Sequence, residues 1–315
     1  MKKITQLFFL KTSLTFAQTT NSEQQTEVFL PEFFKEFPHV RDISISNNQQ
    51  EMYFTVLGYK KEFSFIAVAF FKKGKWSKPM VASFSGKDKD LEPFLAPDNL
   101  KLFFASNRSI ENEEKTDFDI WMVQRESLTS NWGNPINLGP EINTLKDEFY
   151  PAVTNSGNLY FTATIDEDTK GKEDIYLSTY KNGKYTKPKS ISDAINSNTY
   201  EFNAYVSPDE SVIVFSSYNR PDGFGGGDLY MSTKDNNGQW MPAKNLGPEI
   251  NSSKIDYCPF VDFSANSLYY TSEKSTKKSQ FEKSMELEDY LKYFNSAPNG
   301  LSRIYKTKFI QNHID

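Results

Sequence analysis

The stretch Glu201–Tyr230, EFNAYVSPDESVIVFSSYNRPDGFGGGDLY, decides how the chain folds. It reads as an apolar strand, a Ser-Pro-Asp turn, a second strand with aromatic residues, a glycine-rich loop and a third strand that opens with Asp-Leu-Tyr. Variants occur at Glu92–Met122, Glu148–Leu177 and Asp256–Tyr305, and a degenerate copy lies at Asp42–Val68. Five similar units therefore follow one another along the chain.

The aromatic residue that closes the second strand of each unit marks the period of the repeat. The markers follow one another at intervals of 50, 57, 54 and 55 residues: Phe54, Phe104, Phe161, Phe215 and Tyr270. A period this long, with several strands per unit, is typical of a β-propeller. We predict an all-β, five-bladed β-propeller with strands A to D in each blade. Six blades is the alternative if residues 27–41 contain part of another blade.

The last unit differs from the others in two ways. Residues 274–300 are inserted between its strands B and C, and Leu287, Leu291 and Phe294 recur there at helical spacing, which predicts an amphipathic helix. The unit also ends after strand C. Residues 27–30 form the only spare strand, so we predict that this N-terminal strand completes the last blade and closes the ring.

The N-terminus predicts export. Lys2 and Lys3 precede an apolar run that ends in Thr-Phe-Ala, so residues 1–17 read as a signal peptide and residues 18–26 as a polar linker. Lys11 interrupts the run, which keeps a cytoplasmic protein as the alternative to a periplasmic or secreted one. Residues 27–315 are predicted to form one propeller domain, with blades at about 40–84, 90–138, 148–190, 200–246 and 256–309 plus 27–30.

Composition excludes several classes of function. The net charge is −5, which favours neither nucleic acid nor a membrane surface as partner, and no apolar run is long enough for a membrane span. The lone cysteine, Cys258, excludes an internal disulfide and a Cys-based zinc site, and we interpret it as a core residue. We expect a monomer.

The repeats resemble those of TolB-like propellers, which are relatives of the WD repeat found in many exported bacterial proteins. The motifs that carry the resemblance are SPDESVIVF at 207–215, GGGDLYMS at 225–232 and the NLGPEIN connectors at 137–143 and 245–251. The resemblance covers about residues 42–309. It implies a propeller fold that serves as a scaffold for protein interaction or ligand binding, and it implies no particular partner.

Propeller topology predicts where a binding site would lie. If strand A is innermost, the B–C loops and the D–A connectors share one face of the disc, which we call the top face. An acid opens strand A in every unit, and these acids are expected near the top mouth of the central channel: Asp42, Glu92, Glu148, Glu201 and Asp256. Ca²⁺ or another divalent cation there would relieve their repulsion. The alternative is that the acids accept hydrogen bonds from backbone N–H groups of the connectors.

Arginines and aspartates flank the B–C loops on the top face. Arg108 and Arg220 follow strand B in two units, and Asp119, Asp174 and Asp228 begin strand C in three. We predict that an Arg–Asp pair staples each such loop.

Catalytic constellations are almost absent from the sequence. There are two histidines, His39 and His313, and no G-x-S-x-G nucleophile motif, so no catalytic residue is assigned. We predict a non-enzymatic, exported scaffold that binds a protein, a peptide or an envelope component on its acidic top face. The alternative is a glycoside-hydrolase-like enzyme that binds a glycan at carboxylates in the channel mouth. A deep pocket with an unpaired acid would favour the enzyme, and a plugged mouth would favour the scaffold.

Overall fold

The structure, a computed structural model, describes residues 26–110 and 116–309, which form a ring of five antiparallel sheets. The prediction of an all-β, five-bladed propeller is confirmed. The predicted signal peptide and most of the linker lie outside the described residues. Within the part described, no helix is long and apolar enough to cross a membrane.

The first two blades follow a short strand, β1 (Glu27–Val28), and a short helix, α1 (Pro31–Phe34). Blade 1 consists of β2 (His39–Ile45), β3 (Glu51–Leu57), β4 (Ser64–Lys72), β5 (Lys75–Trp76) and β6 (Met80–Val81). Blade 2 consists of β7 (Asp90–Leu95), β8 (Lys101–Ser106), β9 (Asp119–Gln124) and β10 (Ile136–Asn137).

The remaining blades repeat this order, and blade 5 contains the second helix. Blade 3 consists of β11 (Glu148–Val153), β12 (Leu159–Ala163), β13 (Asp174–Ser178), β14 (Tyr180–Lys181), β15 (Lys184–Tyr185) and β16 (Lys189–Ser190). Blade 4 consists of β17 (Tyr200–Val206), β18 (Val212–Tyr218), β19 (Asp228–Thr233) and β20 (Lys244–Asn245). Blade 5 consists of β21 (Asp256–Asp262), β22 (Ser267–Ser272), α2 (Leu287–Asn295) and β23 (Arg303–Lys308).

The N-terminal strand closes the ring, as predicted. β1 pairs with β23 in the order β1-β23-β22-β21, and Val28 lies opposite Tyr305. The N–H of Phe29 then donates to the carbonyl of Ile304 at 2.8 Å. The strand is shorter than predicted because Leu30 adopts a left-handed conformation with φ of 45°, and Pro31 begins α1 directly after it.

Each innermost strand carries a β-bulge, in which two residues face one residue of strand B. In all five blades the single facing residue is the marker aromatic, which is fully buried: Phe54, Phe104, Phe161, Phe215 and Tyr270. A bulge bends the strand and turns a side chain away from the regular alternation. The repeated aromatic thus packs behind the point where strand A turns toward the axis of the ring.

Trp132, which follows the turn after strand C of blade 2, packs against the neighbouring blade. Its indole N–H donates to the hydroxyl of Tyr53 in blade 1 at 3.0 Å. The guanidinium of Arg125 lies 4.4 Å from the centre of the indole and bonds both carboxylate oxygens of Glu51, at 2.8 and 3.0 Å. Blades 1 and 2 are therefore joined by a bidentate ion pair and the indole hydrogen bond, and the cation–π contact holds Arg125 against Trp132 within blade 2.

The insertion of blade 5 forms the predicted amphipathic helix, but its apolar face is exposed. Leu287 is 72% exposed and Phe294 is 54% exposed, and no residue of α2 is buried. The insertion packs mainly on itself, since the ring of Phe281 lies 5.5 Å from that of Tyr290.

Candidate functional site

The five bulges place five different side chains at the centre of the ring. The first bulged residue of each innermost strand has φ between 50° and 60°: Asp42, Glu92, Tyr150, Asn203 and Cys258. Residues other than glycine rarely adopt this left-handed conformation, and each such residue costs about 1–3 kcal/mol. Strain at the same position in all five blades is therefore a feature of the site.

The neighbouring blade fixes the backbone of three of these residues. The N–H groups of Asp42, Glu92 and Asn203 each donate to a threonine hydroxyl of strand B in the adjacent blade, at 3.0–3.3 Å. The acceptors are Thr271, Thr55 and Thr162, respectively. The fourth N–H, that of Tyr150, donates to the Glu92 carboxylate at 2.7 Å. Blade-to-blade contacts thus hold the side chains around one axis.

Arg41 fills the space between these side chains. Its Nε lies 2.5 Å from Asp42, and its Nη2 lies 2.6 Å from Glu92 and 3.2 Å from the sulfur of Cys258. The guanidinium also lies 4.9 Å from the centre of the Tyr257 ring. We call Arg41 and the five bulge residues the mouth cluster. The cluster is closed, because its acids are buried beneath the arginine that pairs with both of them.

Burial sets the electrostatics of the mouth cluster. Desolvation raises the pKa of Glu92 to about 7, against the lowering effect of Arg41. Burial also raises the pKa of the Cys258 thiol. Within the described residues, Asp42 Oδ2 is buried and has no hydrogen-bond partner.

Asp42, Glu92 and Cys258 are the residues that could hold a metal ion, since their ligand atoms lie within 4.8 Å of one another. The guanidinium of Arg41 already contacts all three.

The other three predicted acids lie elsewhere. Glu148, Glu201 and Asp256 stand two residues before the bulge and accept hydrogen bonds from the connectors, as the alternative interpretation proposed. The donors are the N–H groups of Thr144 at 3.0 Å, Ser197 at 2.8 Å and Ser252 at 2.6 Å. The predicted ring of five carboxylates at the mouth is therefore wrong. Only Asp42 and Glu92 stand at the bulge, and the other three acids stand near the start of strand A, beside the connector.

The arginine staples also have different partners from those predicted. Arg108 pairs with Asp90 at 2.6 Å and Arg220 pairs with Glu201 at 3.0 Å, so each arginine joins the end of strand B to strand A. The aspartates that begin strand C bind backbone or strand D instead. Asp119 accepts from Asn137, Asp174 accepts from Lys170 N and Ser190, and Asp228 accepts from Phe224 N.

Sequence reasoning missed Arg41, Tyr150, Asn203 and Cys258. The spacing between the bulge residue and the marker aromatic is the signal in the sequence that could have found them. The bulge residue stands 12 residues before the marker aromatic in four blades and 11 in blade 3, where the A–B turn is one residue shorter. Glu201 and Asp256, at 14 residues, fall outside this spacing.

The top face carries exposed apolar side chains around the closed mouth. They come from the B–C loops of blades 1, 4 and 5 and from the connector between blades 2 and 3: Tyr59, Phe63, Leu145, Phe224, Leu287, Leu291 and Phe294. On the opposite face, a cavity of about 250 Å³ is lined by Phe94, Tyr205 and Phe260 among others. Their rings lie 5.6–6.2 Å apart and fill the axis of the ring.

No family model matches the chain, and no curated protein sequence is similar to it. Solved structures are similar in fold. The catalytic domain of the Coprinopsis cinerea GH62 α-L-arabinofuranosidase is 10% identical, with 87% of this chain and 92% of that chain covered and a TM-score of 0.51. The putative TolB of Agrobacterium tumefaciens is 11% identical, with 86% and 90% covered and a TM-score of 0.49.

The chain spans about half the length of a third similar structure, TolB of Acinetobacter baumannii. That protein is 14% identical, with 85% of this chain and 54% of that chain covered and a TM-score of 0.44. At 10% identity, the similarity to the arabinofuranosidase domain extends to the fold alone.

Proposed function

Starting from a five-bladed β-propeller with TolB-like repeats, we propose that the protein is a non-enzymatic scaffold that binds a protein or peptide partner on its top face. One observation carries the proposal: loops of the top face, the face on which Arg41 closes the mouth, present exposed apolar side chains. Exposed apolar groups grouped on one surface are typical of interaction sites. The B–C loops and connectors that present them are held by ordered sheets, which limits the entropy lost on binding.

The alternative, a glycoside hydrolase, has less support. Such an enzyme needs two carboxyl groups that reach the glycosidic bond from either side. Here the two carboxylates at the mouth, Asp42 and Glu92, are 1% and 4% exposed and are both bonded to Arg41. A sugar would have to displace that arginine before either acid could act.

A divalent cation is not part of the proposed function. Asp42, Glu92 and Cys258 would be its ligands, and Arg41 would have to leave their centre before an ion could bind.

We further propose that the protein works outside the cytoplasm. This rests on the signal-like pattern of residues 1–17. The proposal of export predicts that the protein recovered from a periplasmic or culture fraction begins near Gln18, and a protein that retains Met1 would contradict it.

Site-specific photo-crosslinking tests the proposed face. A photoreactive amino acid is placed at Tyr59 or Phe224 on the top face, and at Leu128 or Phe263 on the opposite face as matched exposed controls. We expect discrete crosslinked products in cells from the top-face positions and none from the controls. Products from the controls alone, or from neither set, would contradict binding on the top face.

A further inference from the structure

The connector between blades 2 and 3 differs from the two similar connectors, at 190–201 and 245–256, at two exposed positions. Leu145 stands where the two similar connectors have Ser253 and Asn198. Elsewhere the connectors at 137–148 and 245–256 are almost identical. Leu145 is 95% exposed. Its side chain is therefore open to a binding partner, whereas the two similar connectors present polar side chains at this position.

A second departure from the repeat lies two residues further on. Asp147 stands where the other connectors have Ile255 and Tyr200, and its side chain is exposed. Its Oδ1 accepts the N–H of Phe118 at 2.8 Å, which fixes the carboxylate beside the start of strand β9. One connector thus presents a leucine and a carboxylate that its two relatives lack.

In the next two blades the B–C loop lies directly on the following connector. A Cβ on Gly171 would be 1.7 Å from the carbonyl oxygen of Thr199, and a Cβ on Gly225 would be 2.3 Å from that of Ser252. Both contacts therefore require glycine. Residues 107–118 of blade 2 contain no glycine, and among the described residues the connector that follows this blade borders a groove.

The groove has an apolar and an acidic compartment. The apolar one has a volume of about 750 Å³ and is lined by Ile110, Leu145 and Ile165 among others. The acidic one has a volume of about 390 Å³, and Asp147 and Glu173 are among the residues that line it. Both compartments share Leu145 and Lys146, so they adjoin. We call them together the blade 2–3 groove.

Among the described residues, Lys146 is the one lysine that lines the acidic compartment. Lys146 forms an ion pair with Asp166, at the edge of the apolar compartment. Burial and the neighbouring Asp147 carboxylate raise the pKa of Glu173. Two carboxylates that repel each other in a partly buried site favour a cation between them.

We propose that the blade 2–3 groove binds a segment of the partner in which an apolar side chain lies next to lysine or arginine. The apolar side chain occupies the compartment lined by Leu145, and the cationic group lies between Asp147 and Glu173. The proposal rests on the proposed function, since it names the chemistry of the partner that the top face receives. Charge complementarity at an apolar groove is the combination that gives such a site both affinity and orientation.

A panel of fluorescein-labelled synthetic peptides tests this. Each peptide carries one leucine or phenylalanine at zero to three residues from a pair of lysines, in a Gly/Ser background. Matched peptides have glutamates for the lysines, or alanine for the apolar residue. By fluorescence polarisation at low salt, we expect the best basic apolar peptide to bind the full-length protein at least tenfold more tightly than either match. Equal binding of all three types would overturn the proposal.

Variants locate the binding. Leu145→Ser, Asp147→Asn and Glu173→Gln should each weaken binding of the best peptide several-fold. The Leu145→Ser variant should fold, because the connector at 245–256 has a serine at the same place. Phe224→Ser on blade 4 is the matched control and should bind as the wild type does. Unchanged binding by Leu145→Ser and Asp147→Asn would overturn the assignment to this groove.

The two proposals can fail separately. If top-face crosslinks form while no peptide type is preferred, the groove is wrong and partner binding stands. If peptides bind the groove while no top-face crosslinks form in cells, the recognition chemistry stands and the proposed partner binding in cells fails.

Discussion

At the scale of single residues, the mouth cluster combines groups that are costly to bury. Arg41 carries one positive charge against two carboxylates, so its removal leaves both acids without their buried counter-ion. Removing one partner of a buried ion pair is far more destabilising than removing an exposed one. The cluster is therefore a sensitive place to test whether the mouth is closed.

Arg41→Met should lower the free energy of unfolding by about 3 kcal/mol near pH 8, because Asp42 and Glu92 lose their buried counter-ion. The loss should be smaller near pH 5, where Glu92 can take up a proton. Urea denaturation at the two pH values measures both. Lys35→Met is the matched control, since Lys35 pairs with Glu32 on the surface, and no measurable change is expected. A loss equal to the control's would show that Arg41 does not pair with these acids.

Glu92→Gln should change how stability depends on pH. Because the folded-state pKa of Glu92 is about 7, above its unfolded value of 4.5, the folded protein takes up a proton between these values and the unfolded chain does not. Stability contributed by this group is thus present below pH 4.5 and is lost as pH rises through 7. Between pH 5 and pH 8, the free energy of unfolding of the variant should rise by on the order of 2 kcal/mol relative to that of the wild type.

Comparison with the wild type is needed in that experiment because other buried groups titrate in the same range. Asp256, whose pKa burial raises to about 6, acts in the same direction, and His39, whose pKa burial lowers, acts in the opposite one. A constant difference in melting temperature between Glu92→Gln and the wild type across pH 5–8 would contradict the raised pKa of Glu92.

At the scale of secondary-structure elements, the insertion of blade 5 stands apart from the rest of the fold. It leaves and rejoins the sheet at a narrow neck, where Ser275 and Asn299 form a bridge and Gly300 N donates to Lys274 O at 3.3 Å. The apolar side of α2 is exposed, whereas strands of the blades are largely buried. The helix therefore contributes surface to the top face and little to the core.

Deleting residues 277–297 and joining the ends by two glycines should leave the β circular-dichroism spectrum unchanged and the melting temperature within about 3 °C of the wild type. The reason is that the deletion removes no buried residue of α2 and keeps the neck. The double variant Leu287→Ser, Leu291→Ser is the milder control and should melt like the wild type. Global unfolding of the deletion variant would show that the insertion belongs to the core.

At the scale of the whole molecule, the two ends of the chain meet in one blade. β1 covers the edge of β23 that would otherwise be open, and the ring of Phe29 lies 5.0 Å from that of Tyr269 in an edge-to-face contact. Blade 5 in turn contacts blade 1, where the hydroxyl of Ser302 lies 3.0 Å from Nδ1 of His39. The stability of the ring should therefore depend on a few N-terminal residues.

Removing residues 1–31 should destabilise the whole protein by several kcal/mol, because the strand's hydrogen bonds and the burial of Phe29 are lost together. A chain that starts at Thr26 is the control and should melt as the full chain does. Hydrogen exchange should show the largest loss of protection in β23 and β2, on the two sides of the joint. If both truncated chains melt alike, β1 does not close the ring.

The sequence by itself determined the fold class, the number of blades, the ring closure and the inserted helix. These follow from features that act locally or repeat: alternating apolar residues, turn residues, a marker aromatic at intervals of 50–57 residues, and a spare strand near the N-terminus for a last unit that lacks one. Such features can be recognised in the sequence without knowing which residues are in contact in the folded protein. The alternative interpretation, in which the acids accept hydrogen bonds from the connectors, also came from the repeat, and it holds for Glu148, Glu201 and Asp256.

Only the tertiary structure decided which side chains reach the axis. The acids recur along the sequence, but a bulge in strand A places the residue two positions later at the mouth, so Tyr150, Asn203 and Cys258 lie there instead. Likewise, the sequence around Arg41 does not predict that Glu92, 51 residues away, is its partner. The direction of these side chains depends on where the bulge falls in strand A, and contacts with blades that are distant in the chain hold the backbone there.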